Sequence, residues 1–161
     1  MRNLSLLRKS VIALGVIGYS VLVGPATWAL EKSLPPPPRY YLLDESGVLK
    51  SQTQTAVRDL LSEHAKRTRQ QVVVAIFSTL ENEDLVMWTN KIYKHWGLGE
   101  KGKDNGVLLA LFWKEHQVRI EVGYGLEGVL TDAKSRRLLA EILVPYLKKG
   151  MPDEGIATLH Q

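Results

Sequence analysis

The chain has no cysteine. Disulfides, thiolate nucleophiles and cysteine-type structural zinc are therefore excluded. Histidine is scarce: His64, His95, His116 and His160 lie scattered, with no H-E-x-x-H or other paired spacing. No D-x-D-x-D-G string is present, which excludes an EF-hand loop. Gly123-Tyr124-Gly125 lacks the third glycine and the following βαβ unit of a dinucleotide loop. No internal repeat runs through the chain.

Acid is also missing from the first thirty residues, and that absence is informative. Met1 to Ser10 holds Arg2, Arg8 and Lys9, and Val11 to Gly24 carries no charge. Pro25-Ala26-Thr27-Trp28-Ala29 follows, with Thr27 and Ala29 as small residues one apart. A charged head, an apolar middle and a small-residue exit make a secretory signal over residues 1–29, with cleavage expected after Ala29. The apolar run of 14 residues is short of the roughly 20 that span a bilayer. An uncleaved membrane anchor is the other reading, and both readings export the rest of the chain. The expected location is the periplasm, a thylakoid-lumen-like compartment or the outer face of the cytoplasmic membrane.

The leader also distorts the charge. The full chain is +4 at neutral pH; losing three basic residues and no acid leaves +1. A nearly neutral chain gives no electrostatic reason for a nucleic-acid partner. Without disulfides the exported part must rely on its core, and about 130 residues suffice for one ordinary domain.

Residues 30–39 read as a proline-rich linker, since four consecutive prolines favour an extended polyproline II rod. A spacer between signal and domain is the plainer reading, and a recognition ligand the other. The domain occupies residues 40–161. Tyr40-Tyr41-Leu42-Leu43 is a short strand or packed arm, followed by a turn at Asp44-Glu45-Ser46-Gly47. From a cap at Ser51, helical spacing through Val57, Leu60 and Leu61 runs to about Arg69. Gln71 to Phe77 is a continuous apolar run, as in a strand buried on both faces. Helical spacing returns from Glu83 to Trp96 and stops at Gly97. Val107 to Trp113 is a second buried strand. Gln117 to Val122 alternates strictly and folds back on it as a hairpin. A helix from Thr131 or Asp132 to about Lys149 follows, and Pro152 begins another. Helices alternating with buried strands predict a three-layer α/β/α sandwich on a small, mostly parallel sheet with one antiparallel hairpin strand. Its crossovers are expected to be right-handed.

Two loops concentrate the polar chemistry. One ends Lys103-Asp104-Asn105-Gly106, and the other runs Gly123 to Asp132. One hairpin separates them, so they are candidates to meet in space. Together they offer Asp104, Asn105, Glu127 and Asp132, with Asp44 of the opening turn as a further candidate. Oxygen-rich clusters suit hard cations, calcium above all, because calcium takes six to eight oxygens and tolerates irregular loops. Yet Asp-Asn-Gly is also a common turn and Asp132 a helix cap. Spacing alone leaves both readings open. Trp96 abuts the first loop, as a core residue or a pocket wall. Arg119 sits on the alternating strand, where it can contact a phosphate or pair with Glu121 on the same face.

These pieces form an ordered series. It runs Leu43-Asp44-Glu45-Ser46-Gly47-Val48-Leu49, then Gln71-Val72-Val73-Val74, Trp96-Gly97-Leu98-Gly99 and Asp104-Asn105-Gly106-Val107-Leu108-Leu109. It continues with Arg119-Ile120-Glu121-Val122-Gly123-Tyr124-Gly125-Leu126-Glu127, Leu130-Thr131-Asp132 and Pro145. The series resembles the TPM domain family, named for a thylakoid lumen protein, a photosystem II protein and a worm receptor auxiliary subunit. The resemblance implies the α/β/α sandwich and an extracytoplasmic location. It also implies a calcium or other divalent-cation site near Asp104, Asn105, Glu127 and Asp132. For activity it implies either assembly and repair of membrane complexes or acid phosphatase chemistry. Many members continue into a further helix, a glycine-rich tail or a membrane segment. Measured against them, residues 40–161 read as a domain cut short at its C-terminus, and any membrane attachment would come from an uncleaved signal or a tail.

Two functions are compatible with this pattern. An interaction factor for a membrane-complex subunit or peptide needs only a loop cluster flanked by Trp96 and Tyr124. A metal-dependent phosphatase of low proficiency would use the cation on the phosphoryl oxygen and Arg119 on the phosphate. The residues favour the first, because Ser46, Ser78 and Ser135 lack any visible activating base.

Overall fold

The computed structural model of the chain describes residues 34–160; the signal reading lies outside them. Among the described residues no helix is long and apolar enough to cross a membrane. The first strand, β1, is Leu42–Asp44. Helix α1, Ser51–Thr68, leads to β2, Gln71–Phe77. Helix α2, Leu85–Trp96, leads to β3, Gly106–Phe112, which turns into β4, Gln117–Val122. The sheet order is β1-β2-β3-β4, with parallel pairing through β3 and an antiparallel β3–β4 pair.

Local chemistry explains most boundaries. The Asp84 carboxylate caps α2 by accepting from the Met87 N–H at 2.8 Å, and Gly97 ends the helix in a left-handed conformation. At α1 the expected Ser51 cap is absent: Lys50 holds the cap position without a side-chain bond of its own. Its N–H is satisfied from the far end of the chain, donating to Asp153 Oδ1 at 2.9 Å. The last long helix is not continuous. Helix α3, Asp132–Leu138, widens into a π turn at Leu139–Leu143 before α4, Val144–Lys148. Pro145 supplies the reason, since it lacks an N–H and its ring crowds the carbonyl one turn back. Helix α5, Pro152–Ala157, closes the domain.

The sheet divides the core by residue parity. Val74, Ile76, Leu109 and Leu111 face α1 and α3 to α5. Val73, Ala75, Leu108 and Ala110 face α2, where Trp88, Ile92 and Trp96 cover them. Strand β3 is buried along its whole length. This is the three-layer arrangement the pattern called for, with one departure. β1, β2 and β3 advance across the sheet in one direction, yet α1 and α2 lie on opposite faces. Two such crossovers must have opposite hands, so one is left-handed, against the usual rule. On the α1 side the helices leave an apolar groove of about 330 Å³, lined by residues such as Leu60, Leu61, Val72, Leu126, Leu138 and Leu159.

Candidate functional site

The two polar loops meet. Both lie at the edge of the sheet where β3 begins and β4 ends, because Val107 pairs with Val122. Their backbones are stitched: the Gly123 N–H donates to the Gly106 carbonyl at 2.8 Å, and the Gly125 N–H to the Asp104 carbonyl at 3.1 Å. Asp104 adopts a left-handed φ of 46°, which a short polar side chain tolerates better than most. The approach leaves no room for side chains. A Cβ on Gly123 would lie 2.0 Å from the Asp104 carbonyl oxygen, and one on Gly125 1.9 Å from that of Lys103.

Asn105 anchors the first loop. Its Oδ1 accepts from the Glu100 N–H at 2.7 Å and its Nδ2 donates to the Arg69 carbonyl at 3.0 Å. Both ends of the amide thus tie the loop to its own turn and to the end of α1. Asp104 and Glu127 are exposed, and neither carboxylate makes a hydrogen bond or ion pair with another described residue. Asp132 opens α3, where the Thr131 hydroxyl is the cap and Arg136 approaches the carboxylate to 3.9 Å. Tyr124 is 81% exposed.

Two expected members stand apart. Asp44 lies at the opposite edge of the sheet, level with Ile76 near the end of β2. Its oxygens accept from Ser46 Oγ, the Val48 and Leu49 N–H groups and Gln54 Nε2, at 3.0–3.3 Å. It organises the turn into α1, and the length of β2 separates it from the other four carboxylate and amide groups. Of the two readings of Trp96, core residue or wall of an exposed binding surface, the fold adopts the first. Trp96 is only 7% exposed, packs against Phe77 and donates its indole N–H to the Pro35 carbonyl at 2.7 Å. It is a core residue, not part of an exposed docking surface.

Beneath the loops lies a polar layer that residue spacing does not reveal. Glu121 accepts from Asn90 Nδ2 at 2.8 Å and from Arg119 Nε at 3.0 Å. Arg119 therefore spends its guanidinium on Glu121, the pairing its strand face allowed. The Tyr93 hydroxyl donates to the Gly106 carbonyl at 3.3 Å. Burial pushes its pKa up, and the nearby Asp104 and Glu121 charges push it further, against a smaller lowering by the Gly106 carbonyl. Asn90 and Tyr93 are three residues apart on α2. Only the packing of α2 against the inward-facing polar side of β4 reveals their relation to the loops.

Oxygen chemistry at the loops suits a hard cation. The positions do not complete a shell: among the described residues, no three His, Cys, Asp or Glu groups stand close enough to hold a metal ion. The Asn105 amide oxygen is already engaged, and the Asp104 carbonyl is held by Gly125. The arrangement offers a rigid, glycine-framed rim of exposed acids around a projecting tyrosine. It offers no nucleophile paired with a base.

Similar proteins place this architecture. No curated protein matches the chain. Among solved structures, the N-terminal domain of a protein from P. gingivalis is 26% identical, with a TM-score of 0.69, covering 78% of this chain and 86% of that one. The N-terminal domain of the cg2496 protein of Corynebacterium glutamicum is 20% identical, with a TM-score of 0.58, covering 83% of this chain and 82% of that one. The BA42 protein of Bizionia argentinensis is 16% identical, with the same TM-score of 0.58, over 68% of this chain and 74% of that one. The last two speak for the fold alone. The TPM domain family matches residues 42–161, from the first strand to the final residue. With its strands, its stitched loops and its ordered motifs all in place, the chain belongs to the TPM domain family.

Proposed function

We propose that this TPM domain is an exported interaction factor that engages a subunit of a membrane-associated protein complex through the stitched loop rim. One observation carries the reading: the backbone bonds at Gly123 and Gly125 hold exposed Tyr124 and the acids Asp104 and Glu127 on a rigid frame. A projecting aromatic within a polar rim is a typical interface anchor. Calcium belongs to the proposal as a weakly held ligand of the rim: because no three acids converge among the described residues, it would rest on the exposed carboxylates Asp104 and Glu127, with water supplying most of its oxygens.

The phosphatase alternative is weaker on geometry. Arg119, its candidate for holding phosphate, is committed to Glu121, and no activated nucleophile adjoins the loops. Three measurements separate the readings. Calcium is titrated against melting temperature; a rise abolished by Asp104→Ala supports the ion site, and no rise at millimolar calcium refutes it. A defined membrane complex should be recovered on the tagged protein and lost with Tyr124→Ala. Steady hydrolysis of a phosphate monoester that disappears in Asp104→Ala would move the assignment to the enzyme.

A further inference from the structure

The proline run reads as a spacer in the sequence, but its start is held on the fold while Pro36 and Pro37 stay exposed. Leu34 and the prolines after it belong to the compact unit that contains the sheet. Leu34 packs, half-buried, against the α2-side core. Pro35 is half-buried too, and its carbonyl accepts the Trp96 indole N–H at 2.7 Å. Pro38 holds φ −70° and ψ 143°, the polyproline II conformation. Such a segment makes no internal hydrogen bonds, so its carbonyls are bare acceptors. Grooves that recognise it are lined with aromatic side chains. Trp96 supplies an aromatic side chain with a donor that meets the first of these carbonyls.

The connection to β1 is equally telling. Tyr40 and Tyr41 are consecutive non-glycine residues with φ of 57° and 63°. Left-handed backbone of this kind persists only where the surroundings enforce it. Tyr41 packs against both halves of the core, and Leu34 with the Pro35 carbonyl holds the chain ahead of the reversal. The chain is therefore gripped on both sides of a strained corner.

We propose that the α2 face at Trp96 is a polyproline-docking site filled in cis by Leu34–Pro38. On this view residues 34–38 are a strap of the domain and not a free linker. Cleavage after Ala29 would leave only residues 30–33 ahead of the first docked side chain.

The test is a double-mutant cycle in the full chain, joined to exchange of the Trp96 indole proton. One variant replaces the rod with flexible chain, Pro35→Gly with Pro36→Ser, Pro37→Gly and Pro38→Ser. The other is Trp96→Phe, which keeps an aromatic ring and removes the donor. In the flexible-arm variant the Trp96 indole proton should exchange about tenfold faster, the equivalent of one net hydrogen bond. The Trp88 indole should be unchanged. Trp96→Phe should lower the melting temperature by less in the flexible-arm background than in the wild type. Unaltered exchange in the flexible-arm variant overturns the proposal, and so do melting shifts that simply add. Should Trp96→Phe fail to fold, the exchange measurement decides alone.

Discussion

Gly123→Ala tests the loop stitch most directly. The Gly123 backbone sits at φ −68° and ψ 148°, where any residue is comfortable, so the dihedrals do not demand glycine. Space does. The new Cβ would lie 2.0 Å from the Asp104 carbonyl oxygen and 2.5 Å from the Tyr93 hydroxyl, while contacts under 3.0 Å essentially never occur. The two loops must part by about 1 Å or more, which strains or breaks the 3.1 Å bond from Gly125 to Asp104. A lost backbone bond of about 1 kcal/mol and overpacking of about 1–3 kcal/mol give a loss of about 2–4 kcal/mol. Unfolding entropy of about 2.1 cal/mol/K per residue, or about 0.27 kcal/mol/K for this domain, converts that to a melting temperature about 7–15 °C lower. Far-ultraviolet circular dichroism melts measure it. Gly128→Ala is the control: no atom lies within 4 Å of its Cβ position, so stability should hold or rise by about 0.4–1 kcal/mol. Melting of Gly123→Ala within about 2 °C of wild type would overturn the steric account, because the close approach would then be relieved at almost no cost.

Three further outcomes are expected. Asn105→Ala removes both amide bonds and should cost about 1–3 kcal/mol, with faster hydrogen exchange at the Glu100 N–H that Asn105 now caps. Asp44→Ala should destabilise by about 2 kcal/mol, since several donors lose their acceptor. Any calcium response should survive it, because Asp44 lies at the other end of the sheet. Glu115 gives a pH dependence. The Thr79 hydroxyl donates to it at 2.6 Å and, against some burial, the Leu80 N–H at 3.0 Å joins in holding its pKa below the ordinary 4.5. A carboxylate lowered in the folded state stabilises above its unfolded value, and that stability is lost as pH falls through the folded value. Glu115→Gln should therefore flatten the acid side of the stability curve, read from denaturant melts at neutral pH and below 4.5.

The strands were legible because their patterns are strong. The unbroken run Gln71–Phe77 and the alternation Gln117–Val122 match β2 and β4 to the residue. Helical spacing from Glu83 and the stop at Gly97 placed the ends of α2 within two residues. Distant partners were not legible. Nothing near Ser51 announces that Asp153, 103 residues from Lys50, will receive the N–H of the residue that caps α1. Residue patterns state that a helix has a buried side, but not which face of the sheet it covers, so the hand of the crossovers was invisible. At the site, the loop approach was foreseeable from the single hairpin between the loops. The engagement of Asn105, the burial of Trp96 and the layer of Tyr93, Asn90 and Glu121 depend on packing that spacing does not encode. Asp44, expected in the opening turn, ends β1 instead, and its side chain organises the turn that follows, so the chemistry that suits it to a turn consumes its oxygens.

The polar side of β4 has a last consequence, for solubility. A four-stranded open sheet has two unpaired edges, each a template on which another molecule could add a strand. Here one edge, β1, is only three residues long. The other, β4, carries Arg119 and Glu121 side by side on its α2 face, half-buried and satisfied by each other and Asn90. A strand arriving from a second copy would meet a charged pair with no room for apolar zippering on that face. The arrangement that orders the floor beneath the loops thus also makes β4 a poor template for a further strand.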